Sequence, residues 1–185
     1  LDADKTAVVL GCGMEGLLTV AALKTLGINK IIVIDKESEK SRAMEFGAWE
    51  FIGSHGKNGV AGVKDKIRAA AGDMADAVFI CTDSPMGRNV ARRFMKNSGS
   101  ICEMGFLCGW RRTPTARYFE DSMPAGGRFY AARDYENCMN FLAKAAEMKL
   151  PLYKLITHRY KLEEINEAMW TVVREEGLGI AVFNR

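Results

Sequence analysis

The 185-residue sequence has only two histidines, His55 and His158, and its five cysteines (Cys12, Cys81, Cys102, Cys108 and Cys138) include no C-x-x-C pair. With so few imidazoles and no paired thiols, a zinc constellation has no spacing to rest on. The odd cysteine count, with three in or beside apolar strand-like runs, reads as small buried hydrophobes in a reducing compartment, the cytoplasm. Charge of one sign is scarce too. Lys and Arg total 26 against 23 Asp and Glu, a formal net of +3, which leaves no strong electrostatic footprint for nucleic acid. No apolar run approaches the roughly 20 residues of a membrane span. The first residues carry no secretory signal pattern, and no internal repeat or low-complexity segment appears. These absences argue against a nucleic-acid binder, a membrane protein, a disulfide scaffold and a metal centre.

What is present is alternation. Apolar runs at 6–10, 30–35 ("KIIVID"), 49–52, 76–82 and 100–106 read as short strands. Helical patterns separate them at 15–26, 36–47, 60–71 and 84–96, the second ending at Gly47. Strands parted by 10–15-residue helical segments imply βαβ units and a parallel sheet. Short apolar strands fit a sheet covered on both faces. Beyond Phe106 the pattern blurs into a connection, "LCGWRRTPTARYFEDSMPAGG". A sixth strand is expected at 128–132, a helix at 135–148, a loop, a helix at about 162–175 and a last strand, "GIAVF". The expected fold is α/β: a Rossmann-type doubly wound parallel sheet of about six strands with helices on both faces. The expected division is a dinucleotide-binding domain over 1–133 and a C-terminal helix and tail over 134–185.

The first turn carries the chemistry. Gly11, Gly13 and Gly16 stand at G-x-G-x-x-G spacing between the first strand and first helix, in "VVLGCGMEGLL". Gly11 permits the tight turn, Gly13 lets backbone approach a pyrophosphate, and Gly16 lets the helix pack on the sheet. The helix start, with Cys12, Met14 and Glu15 in the same turn, offers N–H groups and a positive dipole end to phosphates. Glu15 is expected to turn away into solvent. Asp35 ends the second strand, 19 residues beyond Gly16. A carboxylate there accepts hydrogen bonds from ribose hydroxyls and repels a 2′-phosphate, which favours NAD over NADP. Lys36 and Lys40 beside it soften that preference.

Other polar residues have plainer readings. His158, in "LITHRY", has no partner acid nearby in sequence and reads as structural; His55 reads as a surface residue of a Gly-rich loop. Arg88, Arg92 and Arg93 mark a solvated helix face. Arg111, Arg112 and Arg117 fit a polar loop. Glu163, Glu164 and Glu167 suit a helix start. No residue is assigned a catalytic or metal-ligating role.

The stretches "VVLGCGMEGLL", "KIIVIDKESEKSRAMEFGA", "ADAVFICTDSP", "SGSICEMGF" and "LYKLITHRYKLEEINEAMW", in that order, resemble the cofactor-binding half and tail of the medium-chain dehydrogenase/reductase family, the zinc-type alcohol, sorbitol and threonine dehydrogenases. The resemblance implies a six-stranded Rossmann sheet and a nicotinamide cofactor. It implies that Gly11, Gly13 and Gly16 form the pyrophosphate turn and that Asp35 and Lys40 lie at the adenosine ribose. It places Cys81 and Thr82 near the adenine side and Met104, Gly105 and Phe106 beside the nicotinamide. Residues 128–131 correspond to the strand through which the family forms homodimers. The family's catalytic zinc ligands belong to an N-terminal domain with no counterpart here, and the last strand lacks the cation some relatives use toward the cofactor. The chain therefore reads as the cofactor half of an NAD(H)-dependent oxidoreductase acting on a small alcohol or its carbonyl. Such a half binds cofactor without turning over substrate. Two alternatives stay open: an NADPH-dependent zinc-less quinone-type reductase, and a non-catalytic NADH-sensing module.

Overall fold

A computed structural model describes residues 1–54, 59–82, 87, 90–104, 132–174 and 177–183. Five strands form a parallel sheet: β1 (Thr6–Leu10), β2 (Lys30–Asp35), β3 (Glu50–Gly53), β4 (Ala75–Ile80) and β5 (Met95–Glu103). Their order is β3-β2-β1-β4-β5. Helices α1 (Met14–Thr25), α2 (Lys40–Glu45) and α3 (Gly59–Ala71) make the crossovers, with a short 3-10 turn at Glu37–Glu39 before α2. The chain runs outward from β1 through β2 to β3, then returns to lay β4 on the other side of β1. That reversal leaves a crevice at the carboxyl ends of β1 and β4, where open α/β sheets bind ligands.

The reason for the sheet is legible in its strands. Every residue of β1 is buried, as are Ile31, Ile32, Val33 and Ile34 of β2. Residues buried on both faces need cover on both sides, which the crossover helices provide. One core cluster joins Val8, Leu10, Ile32, Ile34, Val78 and Ile80 to Ile67 of α3 and to Phe94. Each such side chain contributes about 1.5–3 kcal/mol by leaving water. Helix α1 buries Leu17, Val20, Ala21 and Leu23 and stops at Gly27, whose φ is +85°. There Gly27 N–H bonds Lys24 O and Ile28 N–H bonds Leu23 O, both at 3.0 Å, the left-handed stop that glycine makes without strain.

Helix α4 (Ala132–Glu147) packs on α1 within a compact unit, Leu1–Leu150. A second unit, Pro151–Arg185, holds a parallel pair, β6 (Ile156–Lys161) and β7 (Gly179–Phe183), joined by α5 (Ile165–Val173). The Tyr160 hydroxyl meets Thr171 Oγ1 at 2.7 Å, tying β6 to α5.

The α/β reading and the parallel sheet stand, with five strands in the central sheet among the described residues. The sixth strand expected at 128–132 lies outside the described residues except for Ala132, which begins α4. Two elements differ from expectation. The fourth helical pattern runs in sequence to Lys96, yet Met95 and Lys96 already belong to β5. Residues 156–161, expected as loop, form β6, whose side chains are half-buried or exposed throughout. A strand without a buried face shows no apolar alternation. No helix among the described residues is long and apolar enough to cross a membrane.

Candidate functional site

The glycine turn sits at the crevice between β1 and β4. Gly11 leaves β1 with φ +101°, and a Cβ there would strike the Cys81 carbonyl. Only glycine combines that backbone with so close a neighbour. Cys81 is in turn held to β1 by its N–H on Leu10 O at 2.8 Å. At Gly16 a Cβ would strike the Gly11 carbonyl oxygen, so the first turn of α1 lies directly on the turn that precedes it. Gly13 differs: a Cβ there meets nothing within 4 Å. Two glycines are therefore required by the packing of the protein itself. The third faces open space at the start of a helix whose first N–H groups have no intrahelical acceptor.

Asp35 closes the other side. Its Oδ2 accepts the Cys12 N–H at 2.6 Å and its Oδ1 the Lys36 N–H at 2.6 Å. The last β2 residue thus reaches back into the glycine turn. Cys12 is buried, its thiol 4.0 Å from the Glu39 carbonyl oxygen. Burial, then the Asp35 and Glu39 charges, push that thiol up to about 12. Burial likewise pushes Cys81 up to about 11, against a smaller lowering from its side-chain hydrogen bond with Thr19 Oγ1, 3.5 Å away. Both cysteines are neutral packing groups.

The other expected site residues are distributed as follows. Met14 and Glu15 are exposed at the start of α1. Lys36 is exposed, and Lys40 pairs with Glu37 at 3.9 Å with both side chains largely in solvent. Thr82 follows β4 and is half-buried. Met104 follows β5, exposed, with its sulfur 3.5 Å from Cys102 Sγ. Gly105 and Phe106 lie outside the described residues, as do His55, Arg88, Arg111, Arg112, Arg117 and residues 128–131. His158 is in the second unit, on β6, with Nδ1 2.9 Å from Thr157 Oγ1 and its ring stacked on Tyr160. Thr19 and Glu39 border the site without being marked in the sequence. The contacts that matter are distant in sequence: Thr19 lies against Cys81 and the Glu39 carbonyl against the Cys12 thiol.

The residues present fit a dinucleotide. The Gly13 position leaves the space a pyrophosphate would take, the helix start supplies donors, and Asp35 supplies an acceptor for hydroxyls at the end of β2. Among the described residues no group of three His, Cys, Asp or Glu is placed to hold a metal ion.

Comparison with known proteins bears on the same region. Residues 16–144 match a family described as zinc-binding dehydrogenase. Sorbitol dehydrogenase 1 of Saccharomyces cerevisiae is 29% identical over 166 residues, 87% of this chain and 46% of that protein. The D-xylulose reductase of Scheffersomyces stipitis is 27% identical over 168 residues, 86% of this chain and 45% of its own. An alcohol dehydrogenase structure from Thermotoga maritima superposes over 99% of this chain and 51% of that one, with a TM-score of 0.83 at 21% identity, a likeness of fold. The chain spans about half the length of the relatives it matches.

Proposed function

The chain belongs to the zinc-binding dehydrogenase family, and from that premise we propose that it seats a nicotinamide dinucleotide, NAD(H) in preference to NADP(H), for an oxidoreductase of small alcohols or polyols and their carbonyls. The observation that carries this reading is the open space over Gly13 beside a carboxylate-closed turn at the β1–β4 crevice. The hydride chemistry belongs to the nicotinamide when it is bound. The chain's own residues bind and orient. The first amides of α1 receive the pyrophosphate, and Gly13 lets backbone come close. Asp35 accepts from the ribose hydroxyls and sets a negative charge where a 2′-phosphate would lie. Cys81 and Thr82 border the adenine side, and Met104, Gly105 and Phe106 the nicotinamide side.

Zinc ligation is assigned to a part of the longer protein not represented among these residues. On this reading the chain alone binds cofactor without turning over substrate. A homodimer through residues 128–131 and a cytoplasmic location belong to the same proposal. The test is titration of the chain with NADH and with NADPH, followed by nicotinamide fluorescence and repeated by calorimetry. Tighter NADH binding is expected. Tighter NADPH binding would move the assignment to the reductase reading, with Lys36 and Lys40 outweighing Asp35. Binding of neither would overturn the proposal.

A further inference from the structure

The geometry points to a second task for Asp35: we propose that it is the positioning residue that holds the turn of residues 11–16 in the shape that receives a pyrophosphate, besides its role at the ribose. The inference rests on the dinucleotide reading above.

The backbone ladder between β1 and β2 runs out at this point. Gly11 N–H makes its last bond, to Ile34 O at 3.0 Å. The next amide belongs to Cys12, a residue only 2% exposed. Left unpaired there, an N–H would carry its full desolvation cost. The Asp35 carboxylate takes it at 2.6 Å, a short bond of the charge-assisted kind. The other oxygen is fixed by Lys36 N–H at 2.6 Å, so the carboxylate's orientation is set from its own end of β2. The Cys12 thiol, 4.0 Å from the Glu39 carbonyl, adds a second hold between the turn and the segment after β2. A carboxylate has about four lone-pair sites, so two amides leave capacity for ribose hydroxyls. One side chain therefore joins ribose recognition to the shape of the phosphate turn. Replacing it to admit a 2′-phosphate disturbs the pyrophosphate site as well.

The experiment compares the parent chain with Asp35→Asn and Asp35→Ala. Two readouts are taken: Cys12 amide exchange by NMR in ligand-free protein, and affinity for NADH and NADPH. Asp35→Asn keeps an acceptor for Cys12 N–H and removes the charge. With one acceptor oxygen in place of two and no charge, it is expected to give a Cys12 exchange rate between those of the parent and Asp35→Ala and to bind NADPH at least as tightly as the parent. Asp35→Ala is expected to speed Cys12 exchange about tenfold or more, the equivalent of one lost hydrogen bond, and to weaken both dinucleotides. A carboxylate acting only as a charge filter would instead gain NADPH in the alanine variant. Parent-like Cys12 exchange in Asp35→Ala, or tighter NADPH binding by it, would overturn the positioning role while leaving the dinucleotide reading intact. A parent chain that binds neither dinucleotide would overturn both. Should Asp35→Ala fail to fold, Asp35→Asn still decides, since Cys12 exchange unchanged from the parent in that variant contradicts the assignment.

Discussion

Gly13→Ala separates folding from binding. Gly13 has φ −71° and ψ −170°, backbone that alanine adopts freely, and its Cβ would touch nothing within 4 Å. Two opposing effects act on stability. Alanine restricts the unfolded chain, which stabilises by about 0.4–1 kcal/mol. Gly13 is also the N-cap of α1, where alanine is worse than glycine by an amount of similar size. The two nearly cancel, so stability should stay within about 1 kcal/mol and the melting temperature within about 4 °C. Binding should not survive so well. The new methyl lies where the pyrophosphate is proposed to sit, and overpacking of that kind costs about 1–3 kcal/mol, or about 5- to 150-fold in Kd. Gly16→Ala is the contrasting case. Its Cβ would strike the Gly11 carbonyl oxygen, with the carbonyl carbon at 2.9 Å. The helix-propensity gain of about 1 kcal/mol cannot offset that clash, so the variant should melt lower. Thermal melts by circular dichroism and an NADH titration on the same samples read both quantities. NADH binding by Gly13→Ala at parental affinity would refute the phosphate-turn assignment. A large fall in its melting temperature would refute the claim that Gly13 serves the ligand rather than the fold.

The remaining predictions concern the sheet's other end and the thiols. Asp76 accepts Thr6 N–H at 2.9 Å and Lys96 Nζ at 2.9 Å. Burial pushes its carboxyl up, but those two bonds and the Lys96 and Lys5 charges outweigh it, leaving it below the ordinary 3.8. A lowered carboxylate stabilises the fold fully above its unfolded value and loses that contribution as pH falls through the folded one. Asp76→Asn should therefore cost about 1.5–3 kcal/mol at neutral pH, a gap that closes below the ordinary 3.8. Urea melts at neutral pH and in acid check this, and a gap independent of pH would contradict it. Among the described cysteines, Cys12 and Cys81 are buried, with thiols near 12 and 11, while Cys138 is exposed. Iodoacetamide near neutral pH, read by peptide mapping, should label Cys138 and spare Cys12 and Cys81 until the protein is unfolded, since the thiolate is the reactive form. Rapid labelling of Cys12 in the native chain would refute its placement under Glu39.

Much of the fold was legible because its signals are local. An apolar run ending in glycines and followed by a helical pattern has few other ways to fold. A second apolar strand ending in Asp35 completes the unit. What was illegible lacked a local signature. The β6 residues present no apolar face, and their partner β7 follows only after a whole helix. The start of β5 was absorbed into a helical pattern. Lys96 instead reaches Asp76, 20 residues earlier in the chain, and Met95 pairs with Ala75.

Sequence by itself determined the order of elements, the parallel sheet with both faces covered, and the glycine turn, since each follows from burial period or from a backbone only glycine tolerates. Tertiary structure alone decided which atoms those glycines meet: the Cys81 carbonyl over Gly11, the Gly11 carbonyl over Gly16, and nothing within 4 Å of Gly13. It also decided that Asp35 returns across 23 residues to the Cys12 amide, and that Thr19 lies against Cys81 across 62. The physical reason is the same throughout. Periodicity records which side chains leave water, whereas the partner a buried amide or hydroxyl finds depends on where the sheet brings distant chain ends together.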